Sequence, residues 1–404
     1  MMIERKPYID SLRKLRDEHI IKVVTGLRRA GKSTLLEMFA EEVKETIPAE
    51  RVQFLNFEDP DTLEIGNWKQ VYDYVKARLV SGEMNYIFLD EVQKVDEFEQ
   101  LVDGLFIKKN VDLYVTGSNA DLLSGELATL LTGRYIEISI LPFSFKECME
   151  AYSSNLTKDE GLRKFIFNGA LPQVVTLGEK DISEADNLAV AILKTILEKD
   201  VFARHEIRGR AAFDKVLDFV LDSVGSTISP RSIANTLQSN GITVDNKTVS
   251  NYLEYLTEAF LLYKVGRYDV KGKKHLQTLD KYYLADPVFR KIRLGKKSDD
   301  DRGHMLENMV YLELLRRNRY VYIGKVRDAE IDFVAVDKQG YVSYYQVAYT
   351  VLDEATLERE LAPLLAIKDS NAKYLLSTDW DVDPVYNGIR KLNVMEWLLE
   401  DGMA

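Results

Sequence analysis

Ile20-Ile21-Lys22-Val23-Val24-Thr25-Gly26-Leu27-Arg28-Arg29-Ala30-Gly31-Lys32-Ser33-Thr34 reads as a short apolar strand, a glycine-bounded loop and the start of a helix. The spacing G-x-x-x-x-G-K-S is complete from Gly26 to Ser33. Glycines let successive backbone N–H groups curl around phosphate oxygens, and the helix behind them adds the positive end of its dipole. Gly26, Leu27, Arg28, Arg29, Ala30, Gly31, Lys32, Ser33 and Thr34 are therefore the candidate wall of a nucleotide-phosphate site. Lys32 is expected to reach the β- and γ-phosphates, and the Ser33 hydroxyl to bind Mg²⁺. Arg28 and Arg29 either add positive potential over phosphate or are simply solvated.

Tyr86-Ile87-Phe88-Leu89-Asp90-Glu91 is a second strand-like run and ends in two carboxylates, the Walker B arrangement. Strands buried on both faces read as continuous apolar runs, and their C-terminal ends face the ligand crevice of a parallel sheet. Asp90 is expected in the Mg²⁺ shell and Glu91 as the base that polarises the attacking water. Taken alone, two acids after a strand also describe a solvated turn.

Strand-like segments at Ile20–Thr25, Arg51–Asn56, Tyr86–Asp90, Asp112–Gly117 and Tyr135–Ile140 alternate with helical patterns such as Ser33–Lys44 and Asp96–Lys108. That alternation predicts a three-layer α/β domain with a mainly parallel sheet. Its strand succession looks like an AAA-type ATPase core. Ser118 and Asn119 close the fourth segment, where that family puts its sensor; they either contact the γ-phosphate and water or cap a helix. Arg134, before the fifth segment, is a candidate finger for a neighbouring subunit's site or a plain surface arginine. Glu58 and Asp59 either tune Glu91 and the nucleotide or cap the next segment.

The chain of 404 residues is too long for one core and predicts several domains. Its 46% hydrophobic and 29% charged residues are ordinary for a soluble globular protein. It contains no apolar run of membrane-spanning length and no apolar N-terminal signal segment. One cysteine, Cys148, excludes an internal disulfide framework and fits a reducing cytoplasm. Four histidines and one cysteine without ligand-like spacing argue against zinc. The net charge of −11 disfavours general coating of nucleic acid but permits a local basic patch.

From Lys146 to about Val224 the apolar spacing is helical, as in Leu188, Ile192, Ile196 and Phe202, which predicts a helical lid. Arg204 closes a mixed-charge stretch there, as a nucleotide sensor or as a helix-end pair. Ile228 to about Tyr283 then reads as helix, turn, helix and hairpin, a winged-helix pattern. Seven Lys/Arg face four acids from Ser226 to His275, a local excess of +3. Lys247, Thr248 and Asn251 stand early on its second helix, and Lys271, Lys273 and Lys274 in the hairpin turn. This surface suits duplex DNA or a protein partner equally. Lys296–Gly303 is a charged linker, and a small α/β domain follows it.

With those residues in view, nearly the whole chain resembles the prokaryotic AAA-type ATPases that carry a C-terminal DUF4143 domain, the AAA_14 proteins. The marks are Thr25–Thr34, Phe88–Gln93, Thr116–Asn119, Thr132–Arg134, Leu141–Phe145, Gly169–Pro172, Thr248–Leu262, Tyr282–Pro287 and Leu306-Glu307-Asn308. The resemblance implies an ATPase core over 1–145, a helical lid over 146–225, a winged helix over 226–295 and a restriction-endonuclease-like α/β domain over 296–404. It also implies binding and hydrolysis of ATP with Mg²⁺ and gives no settled biological role; a homo-oligomer, duplex DNA and a protein partner stay open. A PD-(D/E)XK nuclease needs a helix carboxylate, a strand Asp and an acid-x-Lys converging on metal. Glu307 and Asp332 match the first two positions, but the third reads Gln346-Val347-Ala348. The site is expected to be inactive unless a lysine such as Lys325 or Lys338 has migrated into it. The readings that stand are an ATP-driven remodeller, a nucleotide-gated switch and, third, an ATP-regulated nuclease.

Overall fold

Strands buried on both faces read as mainly apolar runs, with any buried polar group paired, and three runs of the first third fit that pattern. In the computed structural model these are β1 (Ile21–Gly26), β3 (Asn85–Asp90) and β4 (Val111–Thr116), buried at every residue. β2 (Val52–Asn56) and β5 (Tyr135–Ile140) are partly exposed and form the two edges. The structure describes residues 3–117, 133–152, 156–270, 272, 274–295, 301–380 and 384–400. All neighbours in the order β2-β3-β4-β1-β5 run parallel, with Val23 opposite both Val115 and Glu137, and Leu55 opposite Leu89. β4 thus separates the P-loop strand from the carboxylate strand. Gly26 and Asp90 end two strands apart, about 10 Å at the usual strand spacing, on the same C-terminal edge.

Among the described residues five helices flank this sheet: α1 (Lys6–Leu15), α2 (Lys32–Lys44), α3 (Pro60–Leu63), α4 (Trp68–Ala77) and α5 (Phe98–Phe106). Side chains alternate across a strand. Val23, Ile87, Leu89, Leu113 and Val115 pack with Val71, Val75, Leu101 and Leu105 of α4 and α5. On the other face Phe39 of α2 meets Phe88 and Tyr114, whose rings stack at 4.6 Å. Helix, sheet and helix make the three expected layers. Lys22 is fully buried within β1; its ammonium bonds Asp112 of β4 and the Glu18 carbonyl at 2.7 Å.

The chain folds as two compact units, Met1–Pro142 with Glu258–Phe260, and Phe143–Thr257 with Leu261–Ala404. The second begins with helices α6 (Phe145–Ala151), α7 (Lys158–Asn168), α8 (Pro172–Gly178) and α9 (Ile182–Ile196). A π-helical turn at Leu197–Phe202 and α10 (Arg210–Asp222) follow. Next come β6 (Thr227–Ile228), α11 (Pro230–Ser239), α12 (Asn246–Glu258), β7 (Leu262–Asp269) and β8 (Lys274–Leu284). Beyond them lie α13 (Val288–Leu294), α14 (Arg302–Arg317), β9 (Tyr320–Val326), β10 (Ala329–Val336), β11 (Val342–Val347) and α15 (Glu354–Leu365). β12 (Ala372–Ser377), β13 (Val385–Tyr386), β14 (Ile389–Asn393) and α16 (Val394–Leu399) close the chain.

One nine-stranded sheet, β13-β14-β12-β11-β10-β9-β7-β8-β6, runs through this unit. β7 pairs with β8 as a hairpin and also, in parallel, with β9, placing Arg267 opposite Ile323. The hairpin read from sequence as a wing is therefore also part of the sheet that holds β9 to β14. A register shift between Ile331 and Val334 marks a bulge in β10, the kind of irregularity that re-aims a side chain. The bulge contains Asp332.

Candidate functional site

The loop between β1 and α2 takes its shape from three residues at positive φ: Gly26 (134°), Arg29 (69°) and Gly31 (100°). A Cβ on Gly26 would lie 2.2 Å from the Ile140 carbonyl oxygen, so no side chain fits where the loop leaves the sheet. Leu27 and Ala30 are fully buried and anchor the loop, and the Ala30 N–H closes a turn on the Leu27 carbonyl at 3.1 Å. α2 begins at Lys32, directly after Gly31. The first N–H groups of a helix have no intrahelical acceptor, and they carry the positive dipole end. Lys32 is buried, its Nζ donating to the Gly26 and Leu27 carbonyls at 3.0 and 3.2 Å. Arg29 and Thr34 are exposed. Arg28 leans to Glu58 at 3.6 Å.

Asp90, at the C-terminal end of β3, is 1% exposed. Its Oδ1 accepts the Thr116 hydroxyl at 2.5 Å, while its buried Oδ2 has no hydrogen-bond partner. Burial pushes this carboxyl up from the ordinary carboxylate range; the Thr116 hydrogen bond, the nearby Ser33 hydroxyl and the charge of Lys32 oppose that, and Glu91 adds to it. An orphaned oxygen costs about 1–3 kcal/mol when buried. Beside the Ser33 hydroxyl it fits an oxygen-seeking divalent cation such as Mg²⁺. Glu91 follows at a positive φ of 54° and is buried. Its N–H donates to Thr116 Oγ1 at 2.8 Å, and its Oε2 accepts from Gln93 Nε2 at 2.6 Å.

Lys32, Ser33, Asp90 and Glu91 thus gather at one end of the sheet. Thr116 and Gln93, given no role in the sequence reading, hold the two carboxylates there. Ser118 and Asn119 lie outside the described residues, as do Thr132, Lys271 and Lys273. Arg134 is not brought to this cluster within the chain. It precedes β5, its carbonyl accepting the Ile21 N–H at 2.9 Å at the N-terminal edge of the sheet. That edge is roughly 17 Å of strand length from Gly26. Arg134 Nη1 donates to Asp103 at 2.8 Å on the surface. Asp59 caps α3 through the Asp61 N–H at 3.1 Å, whereas Glu58 lies 3.6 Å from both Arg28 and Lys94. Arg204 is exposed after the π turn.

In the second unit Asp245 caps α12, accepting the Lys247 and Thr248 N–H groups at 2.9 and 3.0 Å and the Thr248 hydroxyl at 2.6 Å. The Thr248 hydroxyl is committed to that cap. Lys247 is exposed and Asn251 half-buried. Further along, Glu307 and Asp332 do approach one another, but the lysine beside them differs from both sequence candidates. Lys281 of β8, not Lys325 or Lys338, sets its Nζ 3.0 Å from Glu307 Oε1 and 2.8 Å from Glu330 Oε1. Tyr283 also donates to Glu307 at 2.6 Å, and Asp332 Oδ2 accepts the Val347 N–H at 2.8 Å. Gln346 Nε2 donates to Glu360 at 3.0 Å. Burial pushes the Asp332 carboxyl well up, and the Glu307 charge adds to it against Lys281. For Lys281, burial disfavours the ammonium, but Glu307, Asp332 and Glu330 outweigh it. Among the described residues no three His, Cys, Asp or Glu side chains are placed to hold a metal ion. No helix among them is long and apolar enough to cross a membrane.

Residues 18–149 match the AAA domain family AAA_14, and residues 159–300 match a domain of unknown function, DUF8612. An uncharacterized protein of Haemophilus influenzae is 35% identical over 404 residues, 99% of each chain. An uncharacterized protein of Methanocaldococcus jannaschii is 29% identical over 365 residues, 86% of this chain and 79% of its own. The Walker-type ATPase of Pyrococcus abyssi is 16% identical at a TM-score of 0.49, covering 72% of this chain and 96% of that one. The chain belongs to the family of the Haemophilus influenzae protein, and its N-terminal part carries an AAA-type P-loop ATPase domain.

Proposed function

We propose that the protein is a Mg²⁺-dependent ATPase whose nucleotide state governs binding of DNA or a protein partner. The observation that carries the first part is the buried, unpartnered Asp90 Oδ2 beside Ser33 and Lys32 at the mouth of the loop. Ser33 Oγ and Asp90 Oδ2 would hold Mg²⁺, which when bound offsets the charge of the β- and γ-phosphates. Lys32 exchanges the Gly26 and Leu27 carbonyls for phosphate oxygens, which suit an ammonium better. Glu91 accepts the proton of the attacking water. Asn119 is proposed to orient that water, and Arg134 to act across a homo-oligomer interface on a neighbour's nucleotide.

Residues 146–225 are read as a lid and 226–295 as a winged helix, on the support of the order β6-α11-α12-β7-β8. Residues 296–404 are read as a nuclease-like, DUF4143-type domain without cleavage activity. Two facts support inactivity: Ala348 replaces the motif lysine, and the Lys281 ammonium is already paired with two carboxylates. A second reading, a slow nucleotide-gated switch for a protein partner, is favoured by the bond between Gln93 and Glu91, which ties up the base.

The test is steady-state ATP hydrolysis with Mg²⁺, with and without duplex DNA, beside Glu91→Gln. DNA-stimulated turnover that disappears in the variant, with ATP binding kept, is the expected result. Slow turnover indifferent to DNA, with nucleotide retained through gel filtration, would favour the switch. Undiminished hydrolysis by the variant would clear Glu91 of the base role.

A further inference from the structure

Arg5 lies just before α1, and it is 4% exposed. Its Nη1 donates to the Ala30 carbonyl at 2.9 Å, inside the phosphate loop. Its Nη2 donates to the Leu141 and Pro142 carbonyls at 2.9 and 3.3 Å, just beyond β5. The guanidinium also stands 4.8 Å over the Tyr8 ring, and the Tyr8 hydroxyl accepts the Leu141 N–H at 3.1 Å. One planar fork thereby joins the loop to the end of the edge strand, a geometry that lysine cannot reproduce.

We propose that Arg5 is a positioning residue for nucleotide, presetting the phosphate loop through the Ala30 carbonyl. A trans peptide unit is planar, with its C=O and N–H on opposite sides. Fixing the Ala30 carbonyl toward Arg5 therefore turns the Gly31 N–H the other way. The Ala30 N–H is spent within the loop on Leu27, and Gly31 holds a φ of 100° that a side-chain-bearing residue rarely adopts. Arg5 thus governs the peptide that precedes Lys32 and Ser33. Its buried positive charge also lies behind a loop that must receive a polyanion. Loop order supplied before binding lowers the cost of binding. Arg5 touches no reacting atom, so its effect belongs in affinity, with turnover at saturating nucleotide left intact.

This inference rests on the ATP reading above, and the experiment separates the two. Binding of a fluorescent ATP analogue with Mg²⁺ and steady-state hydrolysis are measured for the full chain, Arg5→Met, Arg5→Lys and Tyr8→Phe. Nucleotide-free melting is recorded for each. Arg5→Met is expected to raise Kd and KM at least tenfold with kcat within twofold, and Arg5→Lys to fall between it and the unsubstituted chain. Tyr8→Phe loses a bond on the same latch without touching the loop, and its Kd should stay within twofold. If Arg5→Met does not fold, Arg5→Lys carries the test through a several-fold loss of affinity. Lower melting with affinity unchanged in the Arg5 variants would overturn the positioning role alone. Absence of saturable binding by the unsubstituted chain would overturn the ATP reading and this inference with it.

Discussion

Gln93 gives its amide N–H to Glu91 Oε2, which fixes the amide orientation and turns Gln93 Oε1 the other way. That oxygen is buried without a hydrogen-bond partner. An orphaned acceptor costs about 1–3 kcal/mol, and next to the proposed base it has an evident donor in the attacking water. On the ATPase reading Gln93→Ala should lower kcat roughly tenfold, about 1.4 kcal/mol in barrier, with ATP affinity within twofold. A raised kcat would instead mark the bond as the restraint on Glu91 that the switch reading requires, and an unchanged single-turnover rate would dismiss Gln93 from the site. That Lys32, Ser33, Asp90 and Glu91 come together is legible in sequence, because each follows a strand end by local spacing. Thr116 and Arg5 are not, because their partners Asp90 and Ala30 stand 26 and 25 residues away. Such bonds come into being only once the strands are ordered, and no local pattern announces them.

At the scale of elements, apolar runs reveal β1, β3 and β4 to within a residue, because a central parallel strand is mainly apolar on both faces. The short pieces β13, β14 and α16 escape notice, being too brief for a period to show. The contact between the turn before α8 and the start of α13 is equally silent in sequence. Asp286 sits fully buried there, accepting the Ala170 N–H at 2.7 Å and the Val288 N–H at 2.8 Å. A Cβ on Gly169 would fall 1.9 Å from Asp286 Oδ1, so the turn must carry glycine to come this close. Burial pushes this carboxyl up to about 7 against the pull of three backbone N–H groups. A carboxyl raised in the folded state binds more protons there than in the unfolded chain. Its contribution to stability is therefore full below the ordinary carboxylate range and is lost as pH rises through about 7. Three units correspond to roughly 4 kcal/mol at most. Urea midpoints of the natural chain should accordingly carry a downward component between pH 5 and pH 8. In Asp286→Asn that component disappears, so the gap between the two proteins narrows as pH rises; a constant gap would mean that Asp286 does not titrate in this window.

For the whole molecule, sequence suggests a boundary at the charged linker near 296–303, yet β7, β8 and β9 are neighbours in one sheet. Parallel pairing of β7 with β9 joins segments more than fifty residues apart, which composition cannot signal. Side chains reinforce the join: Lys281 and Tyr283 of β8 serve Glu307 of α14, and Arg267 of β7 meets Glu330 of β10 at 2.5 Å. Removing one partner of a buried ion pair costs about 3–5 kcal/mol, because the remaining charge keeps its desolvation penalty. A fragment of residues 296–404 would lose Lys281 and Arg267 together, leaving Glu307, Glu330 and Asp332 without their cations and the β9 edge bare. That fragment should fail to fold alone, whereas residues 143–404 should melt in one cooperative transition. Circular dichroism and two-dimensional amide NMR of both fragments decide the matter. A dispersed spectrum from the shorter piece would make the C-terminal strands an independent domain and reduce the Lys281 cluster to a surface contact. Lys281→Met in the full chain gives the complementary reading. A loss of several kcal/mol marks Lys281 as the ion that keeps this sheet whole, while a neutral effect would leave its ammonium available for chemistry on a bound phosphodiester.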